Sequence, residues 1–237
     1  MMVNPDRQKL ILERIIKEYI YSAEPVSSKK LEEKYDFGIC PATIRNEMQR
    51  LTQFGFLSQP HTSAGRIPTD KAYRFFVNRI LEKDLGRKTK GPRIEKKDLN
   101  KKKKSLRLIQ VLIKELASTS SGLAIGYLCR ERILWKEGWE NLLQEPEFQA
   151  NNQISNFVRF LEAFEEEIEK IKLNSEIKVF IGRETPFPKA REFSIIITKC
   201  SFPDREQGFV SILGPKRMAY DRNIALINSV REMMSAF

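Results

Sequence analysis

Histidine and cysteine are scarce in this chain. Its 237 residues include one histidine, His61, and three cysteines, Cys40, Cys129 and Cys200. A zinc site or a serine–histidine relay needs several such side chains together, so both are disfavoured, and we expect neither a metal nor a cofactor. Three widely spaced cysteines make no disulfide framework, which favours a reducing cytosol. With no nucleophile motif either, we expect a protein that is not an enzyme.

Long apolar runs are also absent. No stretch approaches the roughly 20 apolar residues that a membrane-spanning helix needs. Residues 1–9 lack the apolar core of a signal peptide. We therefore expect a cytoplasmic location and no membrane partner. The length allows one large domain or two modest domains.

Negative charge is in short supply in the first half of the chain. The net charge is +11. Residues 1–83 hold 14 basic and 10 acidic side chains, residues 84–107 hold 11 and 3, and residues 108–237 hold 17 and 18. This asymmetry favours a polyanion partner for the N-terminal end, the alternative being a solvated basic linker beside a neutral domain. Because Gly86, Gly91 and Pro92 interrupt regular structure, we predict a basic linker over 84–107.

The N-terminal third follows the pattern of a winged helix-turn-helix. Apolar periodicity predicts three helices, a short hairpin and a fourth helix, over residues 6–22, 28–35, 41–54, 56–68 and 70–81. A hairpin directly after the third helix is a wing. The apolar side of the fourth helix could close the core or pair with another copy.

The helix over 41–54 is the candidate recognition helix. Ile44, Met48 and Leu51 form an inward stripe at i, i+4 and i+7. The opposite face carries two guanidinium groups and two carboxamides, which pair with base and phosphate edges in a major groove. The alternative is an ordinary amphipathic surface helix. The residues that we predict to read bases are Arg45, Asn46 and Gln49. The residues that we predict to contact the phosphate backbone are Ser28, Lys29, Thr43, Arg50, His61, Thr62, Ser63 and Arg66.

The C-terminal half mixes helices and strands, which predicts an α+β chain. Short runs rich in Ile, Val and Phe predict strands over 123–128, 133–136, 178–181, 193–198 and 209–213. Helices are predicted over 106–118, 153–171 and 220–237. The turns at 182–184 and 214–217 could bind a small anion, but their role as connections is favoured because neither matches a phosphate-binding glycine loop.

Several motifs resemble the HrcA family, the bacterial heat-inducible transcription repressors of chaperone operons. In the N-terminal part they are residues 24–26 (Glu-Pro-Val), 42–46 (Ala-Thr-Ile-Arg-Asn) and 59–69 (Gln-Pro-His-Thr-Ser-Ala-Gly-Arg-Ile-Pro-Thr). In the C-terminal part they are residues 138–148, 181–184 and 213–220. The resemblance covers both ends of the chain.

The resemblance implies a repressor that binds double-stranded operator DNA at an inverted repeat and is released on heating. It also implies a homodimer, a GroEL-type chaperonin as partner and a GAF-like C-terminal domain over 108–237. The chain departs from the family at Cys40, Pro41 and Glu47, the last of which replaces a typical aspartate. It also lacks a long middle stretch that includes the family's inserted dimerisation domain.

A second interpretation is a winged-helix regulator that responds to a metabolite held in the C-terminal domain. A hydrolase or transferase built on that half is disfavoured, because the chain has only one histidine and no nucleophile motif.

Overall fold

The computed structural model describes residues 5–62, 64–84, 104–149, 152–173 and 176–235. These residues belong to two compact units, Met1–Arg79 and Ile80–Phe237. Within the described ranges, no helix has both the length and the apolar character needed to cross a membrane. Most of the predicted basic linker, residues 85–103, lies outside the described residues. Its last four residues are helical, because the helix that follows begins at Lys104.

The N-terminal unit consists of three helices, a two-stranded hairpin and a fourth helix. The elements are α1 (Pro5–Ser22), α2 (Ser28–Lys34), α3 (Pro41–Gln53), β1 (Leu57–Ser58), β2 (Ile67–Pro68) and α4 (Asp70–Asp84). The four helices each bury apolar side chains, among them Ile15, Leu31, Ile44 and Phe76. Tyr73 of α4 is only 2% exposed, so this side of α4 closes the core of its own unit.

The C-terminal unit is built on one antiparallel sheet. Its elements are α5 (Lys104–Thr119), β3 (Leu123–Leu128), β4 (Ile133–Glu137), α6 (Trp139–Leu143), α7 (Gln153–Glu167), β5 (Ile177–Ile181), β6 (Phe193–Phe202), β7 (Glu206–Pro215) and α8 (Tyr220–Met234). The strand order is β4-β3-β7-β6-β5. All five predicted strands are present, and the prediction of an α+β chain with a C-terminal α/β domain is confirmed. The narrower GAF-like assignment stays a prediction.

Helices cover both faces of this sheet. On one face, α5 packs so closely that a Cβ atom on Gly126 of β3 would lie 2.5 Å from the Cγ1 atom of Ile109. Helix α8 packs on β6 of the same face, where the hydroxyls of Tyr220 and Ser194 are 2.8 Å apart. The other face carries a phenylalanine cluster, in which the ring centroids of Phe157 and Phe193 are 5.1 Å apart. The sheet is therefore the middle layer of three.

Arg217 joins two of the three C-terminal segments that resemble family signatures, residues 138–148 and 213–220. It follows β7, is 8% exposed and donates from Nε to Glu147 Oε1 at 2.7 Å. It also pairs with Glu145, in the loop after α6. Burial alone would lower the pKa of Arg217, but the hydrogen bonds and charges of Glu147 and Glu145 outweigh it and raise that pKa. This buried ion pair connects chain segments 70 residues apart.

Replacing Arg217 by methionine should destabilise the C-terminal unit by about 2–4 kcal/mol, because two carboxylates would lose their partner inside a folded unit. The measurement is urea unfolding of the full chain followed by tryptophan fluorescence, since both tryptophans lie in this unit. The matched control, Arg191→Met, removes an exposed guanidinium and should change stability by less than about 0.5 kcal/mol. Equal unfolding midpoints for both variants would contradict this role of Arg217.

Candidate nucleic-acid interface

Helix α3 presents the predicted polar face to solvent. Ile44, Met48 and Leu51 are at most 4% exposed, as the inward stripe predicted. Arg45, Asn46 and Gln49 are exposed, and they lie on the opposite side. Pro41 occupies the first turn of the helix, where a missing backbone N–H leaves no hydrogen bond unmade. The three residues predicted to read bases therefore share one accessible face.

Glu47 is a buried carboxylate on this helix that the sequence analysis did not assign to the site. It is 1% exposed. Its Oε2 atom accepts from Gln8 Nε2 at 2.6 Å, and its Oε1 atom accepts from Arg7 Nη2 at 2.8 Å. Burial alone would raise the pKa of Glu47, but these hydrogen bonds and the charges of Arg7 and Arg50 outweigh it and lower that pKa. The group is therefore held as a carboxylate that ties α3 to α1.

The wing is pinned to the segment before α2. Val26 and Arg66 exchange two backbone hydrogen bonds, of 2.9 and 2.8 Å. This bridge adds a third extended segment to the β1–β2 hairpin. Gly65 is required by the close approach, because a Cβ atom there would lie 2.4 Å from the carbonyl carbon and oxygen of Val26. The Arg66 guanidinium donates from Nε to Thr52 Oγ1 at 3.1 Å and so connects the wing to α3.

The tip of the wing is closed by Gln59, a second residue that sequence reasoning missed. Its Nε2 atom donates to the carbonyl oxygens of Thr62 and Ala64, at 2.8 and 3.0 Å. His61 and Thr62 are exposed there, where a phosphate could be reached. Ser63, predicted as a phosphate contact, lies outside the described residues. The position of Gln59 between a strand and a loop was the available signal for this role. Its partners are backbone carbonyl oxygens, however, and a sequence pattern does not show such partners.

The structure places the remaining predicted contacts unequally. Lys29 is exposed, and its Nζ atom is 3.7 Å from Glu33. Ser28 is only 8% exposed, although it lines the cleft described below, and its predicted phosphate contact stays a prediction. The first turn of α2 directs it inward, and the exposed hydroxyl belongs to Ser27, which caps the helix by accepting from the N–H of Lys30 at 3.1 Å.

Two polar side chains of α3 already have protein partners. The Thr43 hydroxyl lies 3.3 Å from the sulfur of Cys40, the residue that precedes the helix. The hydrogen bond with Thr43 lowers the pKa of the exposed Cys40 thiol. Arg50 is half-exposed and 3.5 Å from Glu47 Oε1. Both residues remain at the accessible side of the helix, where a phosphate could compete for them.

A cleft of about 370 Å³ brings three separate segments of the N-terminal unit together. Helix α3, the start of α2 and the wing form its walls. Its lining residues are Ser27, Ser28, Arg45, Met48, Gln59, Thr62, Ala64, Gly65 and Arg66. Predicted base-reading and phosphate-contacting side chains thus meet at one concave surface.

This unit corresponds to a known DNA-binding domain. The family model for the winged helix-turn-helix transcription repressor, HrcA DNA-binding, matches residues 5–82. The model for the HrcA protein C terminal domain matches residues 69–224. The chain belongs to the HrcA family. The membership predicted from the motifs is confirmed, and the winged-helix unit of this HrcA chain is a DNA-binding domain by family.

Similar proteins support the same assignment over nearly the full chain. The heat-inducible transcription repressor HrcA of Thermodesulfovibrio yellowstonii is 26% identical and covers 94% of this chain and 95% of its own length. The HrcA of Caldanaerobacter subterraneus subsp. tengcongensis is 28% identical, with coverage of 97% and 96%. A crystal structure of a hypothetical protein has a TM-score of 0.79 at 22% identity, covering 99% of this chain and 98% of that one, which supports the fold.

These relatives are longer than this HrcA chain. The first alignment runs over 330 positions and covers 94% of the 237 residues of this chain, about 223, so roughly 107 positions of the relative lie opposite gaps. The predicted lack of a middle stretch agrees with this difference.

The C-terminal unit has a separate cleft of about 440 Å³. It lies between the end of α7 and the segment 186–188, and it is lined by Phe187, two prolines and the Glu167–Lys170 ion pair of 2.7 Å. A metabolite in this unit stays a prediction.

Replacing Gly65 by alanine should separate the wing from Val26, because the added methyl would meet backbone atoms that cannot move aside. We expect a loss of about 1–3 kcal/mol in stability of the N-terminal unit. Amide exchange of the full chain should show faster exchange at the N–H groups of Val26 and Arg66. Ala64→Ser, which changes a neighbour that already has a Cβ atom, is the control. Unchanged protection in Gly65→Ala would contradict the close approach.

Proposed function

We propose that this HrcA-family chain is a heat-inducible transcription repressor of chaperone operons that acts by binding operator DNA in the cytoplasm. The observation that carries the proposal is the exposed polar face of α3, with Arg45, Asn46 and Gln49 beside a wing pinned at Val26. The names of the relatives support the heat-inducible repressor function.

The side chains of this face match the chemistry of a major groove. A guanidinium can donate two hydrogen bonds to guanine, and a carboxamide can donate to and accept from adenine. Arg45 would therefore read guanine, while Asn46 and Gln49 would read adenine. These assignments follow from donor and acceptor patterns at exposed positions.

A second group of residues would position the protein on the phosphate backbone. Such contacts carry no base sequence but set register and orientation. The described members of this group are Ser28, Lys29, Thr43, Arg50, His61, Thr62 and Arg66. The composition of residues 84–107, with 11 basic and 3 acidic side chains, would add attraction to any DNA and make binding depend on salt.

An inverted-repeat operator calls for a homodimer, because two half-sites need two-fold symmetry in the protein. The inward side of α4 is used within its own unit, where Tyr73 and Phe76 are 2% and 4% exposed. We therefore assign the dimer contacts to the C-terminal unit. A GroEL-type chaperonin that binds the native repressor would favour repression by mass action, since binding to one state increases its population.

The base-reading assignment predicts a selective loss. Arg45→Ala and Asn46→Ala should each weaken operator binding by about 1–3 kcal/mol. Binding to random DNA of equal length should change much less, because phosphate contacts remain. Lys29→Ala is the matched control and should weaken both DNAs similarly. Fluorescence anisotropy on the two duplexes measures this, and equal losses for Arg45→Ala on both would reject the assignment.

The heat-induced release from the operator should be caused by loss of the dimer. On heating over a few degrees, operator affinity should fall together with loss of dimer, because the second half-site contact then loses its effective concentration. Parts of a folded protein can open below the global unfolding energy, and we expect the C-terminal unit to loosen because the dimer contacts are assigned to it. Amide exchange and sedimentation across the same range test this. Loss of protection in α3 before residues 108–237 would contradict it.

A further inference from the structure

We infer that Glu47 is a positioning residue for base readout, which holds α3 in one rotation about its own axis. The inference rests on the proposed function, because it concerns how the same helix meets DNA. Glu47 does not itself face the groove, since it is 1% exposed.

The apolar contacts of α3 restrict its rotation less sharply than hydrogen bonds do. Ile44, Met48 and Leu51 are buried by a force that depends on area and has no direction. Hydrogen bonds have preferred distances and angles, so they resist rotation as well as separation. Glu47 is the residue of this buried side that forms such bonds to another helix. Its two oxygens accept from Arg7 and Gln8 of α1, at 2.8 and 2.6 Å.

A small rotation would be enough to abolish readout. With side chains, a helix is about 10–12 Å across, so a turn of about 10° moves a side-chain tip by about 1 Å. A functional group must stay within about 0.5 Å of its productive position. Asn46 is the immediate neighbour of Glu47, and Gln49 follows two residues later. Both would move with any rotation that the carboxylate now prevents.

Gln8 supports the same role. Its side chain is 0% exposed, and its Oε1 atom is buried with no hydrogen-bond partner among the residues that the structure describes. The bond from its Nε2 atom to Glu47 is 2.6 Å long. An unsatisfied buried carbonyl costs free energy that an apolar side chain of this size would avoid. A glutamine at this position is therefore explained by the bond that it donates to α3.

Glu47 also holds two positively charged side chains, which keeps them from contacting DNA phosphates of any sequence. Arg7 is one-third exposed and Arg50 is 43% exposed, and both guanidinium groups lie within 3.5 Å of the carboxylate. With the carboxylate removed, both cations could turn toward phosphates of any sequence. Loss of Glu47 should thus weaken operator binding while leaving binding to random DNA unchanged or stronger. A general loss of folded protein would lower both.

The test compares three variants of the full chain on operator and scrambled duplexes, at about 0.15 M salt and at a temperature where circular dichroism shows each to be folded. Glu47→Gln should lower the ratio of operator to scrambled affinity by about tenfold or more, which corresponds to a readout contact. Gln8→Met removes the donor without changing charge and should lower the ratio severalfold. Glu32→Gln removes an exposed carboxylate from α2 and should leave the ratio unchanged.

Different results test the positioning role of Glu47 and the proposed function. If Glu47→Gln and Gln8→Met keep the wild-type ratio, the positioning role is wrong while the proposed function stands. If the wild-type protein itself does not distinguish the two duplexes, the proposed function fails. If Glu47→Gln does not fold, Gln8→Met decides, since it retains the carboxylate. A fourth variant that combines Glu47→Gln with Gln8→Met should lower the affinity ratio no further than Glu47→Gln alone, because both changes remove the same interaction.

Discussion

Two backbone hydrogen bonds between Val26 and Arg66 hold together the surface that we propose to face DNA. Across this bridge the segment before α2 meets the wing, and the Arg66 side chain then reaches Thr52 at the end of α3. Three segments that are distant in sequence are thereby fixed side by side. The contact depends on Gly65, since any larger residue would meet the backbone of Val26. The concave surface lined by Arg45 and the wing exists because this approach is so close.

The two units solve the burial of charge in the same way. In each, charged groups that are almost fully buried have partners of opposite sign or strong donors, and Glu47 and Arg217 are examples. Glu47 binds α1 to α3, and Arg217 binds the loop after α6 to the end of β7. A buried ion pair contributes little net stability compared with apolar packing, but its geometry is specific. Both groups therefore define how elements are oriented more than how tightly they are held.

Apolar periodicity was sufficient to predict the helices of the N-terminal unit, and short runs rich in Ile, Val and Phe were sufficient to predict the existence of all five C-terminal strands. Their lengths were less predictable. β6 and β7 form a hairpin paired from Phe193–Pro215 to Phe202–Glu206, well beyond the apolar runs, because backbone pairing continues where side chains such as Lys199 are exposed. The roles of Glu47 and Gln59 were missed because their partners lie 39 residues away or are backbone carbonyls. The burial of Ser28 was not predictable, because two adjacent serines offer the same capping signal and only helix packing decides which one is buried.

The Cys40 thiol, directly before α3, is a site for covalent labelling on this surface. Thiolates are the reactive form of cysteine, and the hydrogen bond with Thr43 lowers the pKa of the exposed Cys40. Burial raises the pKa of Cys200 to about 12 and also raises that of Cys129. Alkylating reagents should therefore modify Cys40 before they modify Cys129 or Cys200. A single fluorophore or spin label could be placed beside the residues proposed to read bases, without introducing any new cysteine.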